Sequence, residues 1–252
     1  MDISILSVSI LIAAGVAGGF INTLAGGGSM LTLPALMMMG LPADIANATN
    51  RVGVLLQSVT GVKGFKDHDR LDSTAIVPMM VPTLIGAVCG ALLASYLPVW
   101  LLKPILLVSM VTMALVMLVR PDVVAPPEGT EPFTIRTKPI AATGLFFAGV
   151  YGGFVQAGVG FILLAALAGG LRYDLVRANA LKMIATAVFS VVALVVFVLR
   201  EQVLWIPGLI LGLGTVVGAA VSVRFAVTVS QTTLKWLLFV MVCITCAGAF
   251  LL

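Results

Sequence analysis

The sequence predicts an all-α polytopic membrane protein made of two inverted five-element repeats. Three observations predict it: pervasive apolar composition, a motif series that recurs after about 130 residues, and glycine-rich interruptions at matching places in both halves. Hydrophobic residues make up 61% of the 252 positions and charged residues only 10%, with a mean hydropathy of +1.19. Soluble domains carry roughly 25% charged residues, so water is not the main solvent of this chain. The net charge of +4 is scattered over segment ends, with no basic cluster larger than Lys63, Lys66 and Arg70. Such a distribution speaks for membrane topology and against nucleic acid.

A bilayer-spanning helix needs about 20 apolar residues. Segments of that kind run over 3–21, 45–64, 74–97, 99–119, 139–157, 175–199, 203–223 and 233–252. The first follows no basic leader and reads as a retained span rather than a signal peptide. Two shorter stretches, 29–40 and 159–171, each follow a glycine-rich break (Gly26, Gly27, Gly28 and Gly158, Gly160) and read as half-helices.

The repeat is legible in ordered matches. Gly15-Val-Ala-Gly-Gly-Phe-Ile-Asn22 returns as Gly149-Val-Tyr-Gly-Gly-Phe-Val-Gln156, and Gly40-Leu-Pro-Ala-Asp44 as Gly170-Leu-Arg-Tyr-Asp174. Gly86-Ala-Val-Cys-Gly-Ala91 matches Gly214-Thr-Val-Val-Gly-Ala219, and Leu102-Lys103 matches Leu234-Lys235. These divide the chain into a first transmembrane repeat, 1–120, a polar proline-bearing linker, 121–138, and a second repeat, 139–252. If all ten elements alternate in direction, ten basic residues fall on one side and only Lys103 and Arg200 on the other. By the positive-inside rule the crowded side is cytoplasmic. The linker is then cytoplasmic and both termini periplasmic, in a bacterial inner membrane. Short elements that left on their own side would erase this asymmetry.

Backbone breaks at membrane depth are tolerated only where they pack in protein or line a polar cavity, and paired breaks mark the central site of a transporter. Each half-helix directs its N-terminus, with free N–H groups and the positive dipole end, toward the midplane, which suits an anion. Asn22, Thr23, Ser29 and Thr32 lie near the first break and Gln156 near the second; all can bond an oxyanion without adding charge. Alternatively, small and polar residues here serve only close helix packing.

Arg51 and Lys182 are the two charges well inside spans, at nearly equivalent repeat positions. Intramembrane cations are costly and normally face a cavity or partner. No intramembrane carboxylate is available, so an anionic substrate is expected as the partner, with snorkelling to the headgroups as the alternative. Asn47, Asn50 and Arg51 share a helix face by spacing, with Gln57 and Asn179 also on these spans. Asp44 and Asp174 are expected to be N-caps. The candidate substrate-binding set is Asn22, Thr23, Gly26, Gly27, Gly28, Ser29, Asn50, Arg51, Gln156, Gly158, Gly160 and Lys182.

Other features read as structural. Met37, Met38 and Met39 point around a helix rather than to one face. His68 sits in a charged loop. Cys243 and Cys246 have redox or metal spacing but lie in an apolar run without flanking His or acid. No Ser/His/Asp set, metal cluster or P-loop is present, which leaves no enzyme signature, no cofactor and no ATP-binding motif. An anion channel on the same scaffold, or a redox subunit using the two cysteines, are the rival readings.

Gly18-Gly-Phe-Ile-Asn-Thr-Leu-Ala-Gly-Gly-Gly-Ser-Met-Leu-Thr-Leu-Pro34, followed by Gly40-Leu-Pro42 and Ala46-Asn-Ala-Thr-Asn50, resembles the TauE/SafE sulfite exporter family. Gly149 to Lys182 looks like the second-half counterpart. The resemblance implies an inner-membrane carrier for small sulfur-containing anions such as sulfite, sulfoacetate or related organosulfonates. The second half departs from the first by Gln156 for Asn22, Gly-Val-Gly for Gly-Gly-Gly, and no counterpart of Pro34.

Overall fold

The computed structural model describes residues 5–98 and 130–230, with isolated positions between 100 and 112 and at 233 and 240. Most of the predicted spans 99–119 and 233–252, the first half of the linker (121–129), and Cys243 and Cys246 lie outside the described residues. The described residues form helices and no strand: α1 (Ile5–Leu24), α2 (Ser29–Met38), α3 (Ala43–Asp67), α4 (Ser73–Tyr96), α5 (Ile140–Phe154), α6 (Val159–Leu164), α7 (Leu175–Leu199) and α8 (Trp205–Thr228). Helix α6 continues as a π-helical segment, Ala165–Gly170. Helices α1, α4, α7 and α8 are long and apolar enough to cross a bilayer. Helix α3 is as long as α7 but carries Asn47, Asn50, Arg51 and Gln57 on buried positions. Helix α5 stops at Phe154, short of the predicted 157, because Gln156 takes a left-handed φ of 67° that ends the helix.

The apolar exterior follows lipid logic. On α8, Ile206, Leu209, Leu213, Val217 and Val221 form an exposed stripe at helical spacing, while Gly208, Gly212, Thr215 and Ser222 are buried. In hydrocarbon, apolar side chains gain nothing by hiding, so small residues take the inside and let backbones approach.

Two helix pairs show this. Gly15 and Gly19 of α1 lie against Gly214 and Gly218 of α8, and Gly86 and Gly90 of α4 against Gly149 and Gly153 of α5. A Cβ at any of these eight positions would collide with a carbonyl of the opposing helix. Residue numbers rise together across both contacts, so each pair is parallel. Thr49 bonds the amide of Leu204 and Gly53 meets Leu211, which makes α3 parallel to α8 as well. Across α3 and α7 the order reverses, with Gly61 against Met183 and Arg51 against the Phe197 ring. Helices α4 and α7 start together, where the Tyr173 hydroxyl donates to Asp72 at 2.9 Å, and end together, where Arg200 stacks on Tyr96. So α1, α3 and α8 run one way, and α4, α5 and α7 run the other.

These directions gather the surface charges. Lys63, Lys66, Arg70, Arg136, Lys138, Arg172, Arg177 and Arg224 lie at one end of the bundle; Arg200 is the described basic residue at the other. Segment 130–139 is held at the basic end by a bond from the Phe133 amide to Leu171 O at 2.8 Å, with Lys138 and Arg172 against the Phe133 ring. Asp72 caps α4 through the Thr74 amide. Burial opposes ionisation of its carboxyl, but hydrogen bonds from Thr74, Tyr173 and Ala75 prevail and hold it below the usual carboxylate range. Asp174 caps α7 as predicted, accepting from the Val176 and Arg177 amides. Asp44 does not act as a cap: α3 begins at Ala43, two residues before the predicted start, with Pro42 at the N-cap position, and a buried Asp44 oxygen lacks a partner among the described residues.

The backbone-to-backbone crossings set a stability prediction. Gly218→Val should destabilise the detergent-solubilised protein by roughly 2 kcal/mol through overpacking, whereas Leu213→Ala on the lipid-facing stripe should change its melting temperature little.

Candidate functional site at the paired helix breaks

Helix α1 ends when the amides of Ala25 and Gly26 both turn back to Ile21 O, at 2.7 and 3.2 Å, and Gly26 adopts φ 99°, open to glycine but costly for other residues. Helix α5 ends the same way: the amides of Val155 and Gln156 return to Tyr151 O, followed by left-handed Gln156 and Gly158. The two breaks meet. Gly26 and Gly160 are so close that a Cβ on either would overlap the other's Cα, so only glycine fits on both sides. Residues 21–30 and 155–160 are all buried.

A helix ending inside the protein leaves carbonyls that must find donors. The chain supplies them from elsewhere. Arg51 of α3 donates Nη1 to Gly152 O and Nη2 to Gly153 O at 3.0 Å and Phe154 O at 3.3 Å. Asn47, one turn before Arg51, donates to Phe154 O at 2.9 Å. Lys182 of α7 donates Nζ to Asn22 O at 2.8 Å, Thr23 O at 2.9 Å and Asn179 Oδ1 at 2.6 Å. Each cation therefore caps the broken helix of the other half of the chain. Arg51 is 0% and Lys182 1% exposed, so neither snorkels. The partner sought in a substrate is present in the protein itself, as helix-end carbonyls.

Capping does not cancel the charge. A helix C-terminus offers roughly half a negative charge, so each site keeps about half a positive charge. The buried residues described include no Asp or Glu.

The remaining sequence-predicted residues separate into two groups. Asn50, Ser29 and Thr32 are spent on structure, Asn50 donating to Ser29 Oγ at 3.1 Å and accepting from Thr32 Oγ1 at 2.7 Å, which fixes α2 to α3. Thr23 folds its hydroxyl back to Gly19 O. Gln156 is different. It is 2% exposed, and both its amide nitrogen and oxygen lack partners among the described residues. Arg51 Nε, Asn47 Oδ1 and Asn179 Nδ2 share that condition. Orphaned buried polar atoms cost about 1–3 kcal/mol each, and native proteins keep few of them without a role. The backbone amides of Gly27, Gly28 and Ser29 at the start of α2, and of Gly158 and Gly160, also have no backbone acceptor among the described residues. No cluster of His, Cys, Asp or Glu fit to hold a metal exists among the described residues. Two buried cations with no acidic residue among the described buried positions, together with free N–H donors and a free carboxamide, can accept a small anion.

Sequence reasoning found the breaks and both cations but missed the crossed capping, the Gly26–Gly160 contact and the Tyr173–Asp72 link. The near-equivalent repeat positions of Arg51 and Lys182 were the available signal for crossed capping.

As a consequence of these bonds, Arg51→Leu should cost of order 3 kcal/mol in unfolding free energy by stranding the carbonyls of Gly152, Gly153 and Phe154. Exposed Arg70→Gln, measured alongside by chemical denaturation in detergent, should stay within about 0.5 kcal/mol of the parent.

Comparison with known proteins places the whole chain. The description "Sulfite exporter TauE/SafE" matches residues 11–249. A "Probable membrane transporter protein ORF9" of Sinorhizobium is 29% identical over 241 residues, covering 95% of this chain and 90% of that protein. A "Probable membrane transporter protein" of Haemophilus influenzae is 26% identical, covering 96% and 93%. The "Probable membrane transporter protein YfcA" of Escherichia coli K12 is 26% identical, covering 92% and 86%. No solved structure matches the chain. A family match over nearly its full length, together with four bilayer-length apolar helices, makes this chain a multi-pass membrane protein of the TauE/SafE sulfite exporter family.

Proposed function

We propose that this protein carries a small anion, sulfite or an organosulfonate such as sulfoacetate, across the bacterial inner membrane by alternating access between two inverted halves. The observation that carries this reading is the meeting of the two helix breaks at Gly26 and Gly160 beside two buried cations, with no Asp or Glu among the described buried residues. Interrupted helices meeting between structural repeats are the usual setting of a transporter's central site. The motif-matched elements support the inverted arrangement, because α1 packs on α8 as α5 packs on α4, and α3 opposes its counterpart α7 in direction. The basic end of the bundle is then cytoplasmic by the positive-inside rule, with segment 130–138 on that side.

In this reading the anion sits between the free amides of Gly27, Gly28 and Ser29 and the unpartnered carboxamide of Gln156, with Asn22 at the equivalent place in the first half. Arg51 and Lys182 supply the positive field without touching the substrate. Rocking of the halves about the Gly26–Gly160 contact exposes the anion to each side in turn.

Thermal-shift binding with sulfite, sulfoacetate, taurine, thiosulfate and acetate tests this on detergent-purified protein. A sulfur oxyanion should stabilise the parent. Gln156→Leu, which breaks no bond among the described residues, should fold normally and weaken that anion's binding by about tenfold, the value of one hydrogen bond to a charged group. Unaltered binding by Gln156→Leu, or no shift with any sulfur anion, would contradict the proposal.

A further inference from the structure

The C-terminal carbonyls of a helix interrupted inside a membrane form a hard-oxygen cluster at the negative end of a dipole. In transporters with broken helices, such carbonyls coordinate the sodium ion that drives the cycle. Here both clusters are filled by the chain. The Lys182 ammonium has three N–H bonds and spends all three, on Asn22 O, Thr23 O and Asn179 Oδ1. That donor set, two backbone carbonyls and one amide oxygen, is of the kind a hard monovalent cation takes. Arg51 occupies the matching cluster at Gly152, Gly153 and Phe154.

We propose that Lys182 and Arg51 are tethered replacements for coupling cations, each seated at a broken helix end, so that this protein moves its anion without sodium. The inference rests on the transport reading and adds to it what drives the cycle. A sodium ion approaching either cluster meets a site that already holds a cation, with its oxygens already engaged. The anion's charge is offset by cations that never leave the protein, so no co-ion is needed for compensation. Because each cation arises from one half and caps the other, the tether also links the two halves, which a diffusible ion would do only while bound. The driving force is left to the anion gradient and the membrane potential.

Two measurements test this, and they fail separately. In proteoliposomes, sulfite flux by the parent should be the same in sodium buffer and in N-methyl-D-glucamine buffer of equal ionic strength; flux that stops without sodium overturns the inference. In detergent, Lys182→Ala should melt well below the parent in N-methyl-D-glucamine chloride and regain stability in sodium chloride or methylammonium chloride, as small cations enter the vacated seat. The parent should be indifferent to all three salts. Equal melting of Lys182→Ala in the three salts would show that the oxygens are not a cation seat. If the parent carries no sulfite or sulfoacetate, the transport reading fails while the salt response of Lys182→Ala still decides the seat. Should Lys182→Ala not survive extraction, flux and melting of the parent with and without sodium decide alone.

Discussion

The architecture depends on one constraint: two helices stop inside the membrane-spanning bundle, and every carbonyl they leave must be bonded. In water a helix end is satisfied by solvent at almost no cost, but in a low-dielectric interior each orphaned group costs several kcal/mol. For the carbonyls of Asn22, Thr23, Gly152, Gly153 and Phe154 the chain meets this demand with Arg51, Asn47 and Lys182, whose bonds to them run between sequence positions more than 100 residues apart. A buried cation without a carboxylate is ordinarily unfavourable. Against a helix C-terminus it becomes the completing element of a structure that would otherwise be unsatisfied. The cations and the breaks are therefore one feature, and neither is tolerable without the other.

This constraint explains why small residues dominate the interior. The two helices that break, α1 and α5, each lie backbone to backbone against a full-length partner, α8 and α4. Gly15 and Gly19 on Gly214 and Gly218, and Gly86 and Gly90 on Gly149 and Gly153, permit that approach. Stability here comes from close packing and polar satisfaction, since burying leucines gains little against lipid. The apolar side chains accordingly face outward, as Leu209, Leu213 and Val217 do on α8.

Much of the fold was legible in the sequence because hydropathy and glycine spacing report directly on the bilayer. Helix positions agreed to within a few residues over most described spans, and the breaks lay where Gly26–Gly28 and Gly158–Gly160 placed them. The early stop of α5 was not legible, since nothing in Gln156 as a residue type announces a left-handed φ. The cations were identified by position, but their partners were not, because backbone carbonyls carry no sequence signature and only three-dimensional proximity pairs Arg51 with Gly152. Asn50, Ser29 and Thr32 looked like ligand groups by chemistry; their mutual bonds, invisible at the sequence level, commit them to holding α2 against α3. Asp44 shows a similar limit, for the start of α3 at Ala43, with Pro42 before it, takes it out of the cap position.

The division of labour between cations that complete helix ends and amides that meet the anion is the central claim, and an experimental structure with sulfoacetate bound tests it most directly. The expected map shows the sulfonate between the amides of Gly27–Ser29 and the Gln156 carboxamide, with Lys182 still on the carbonyls of Asn22 and Thr23 and Arg51 on those of Gly152 and Gly153. A map in which either cation has left its carbonyls to bind the sulfonate, or in which the anion lies away from both breaks, would contradict it.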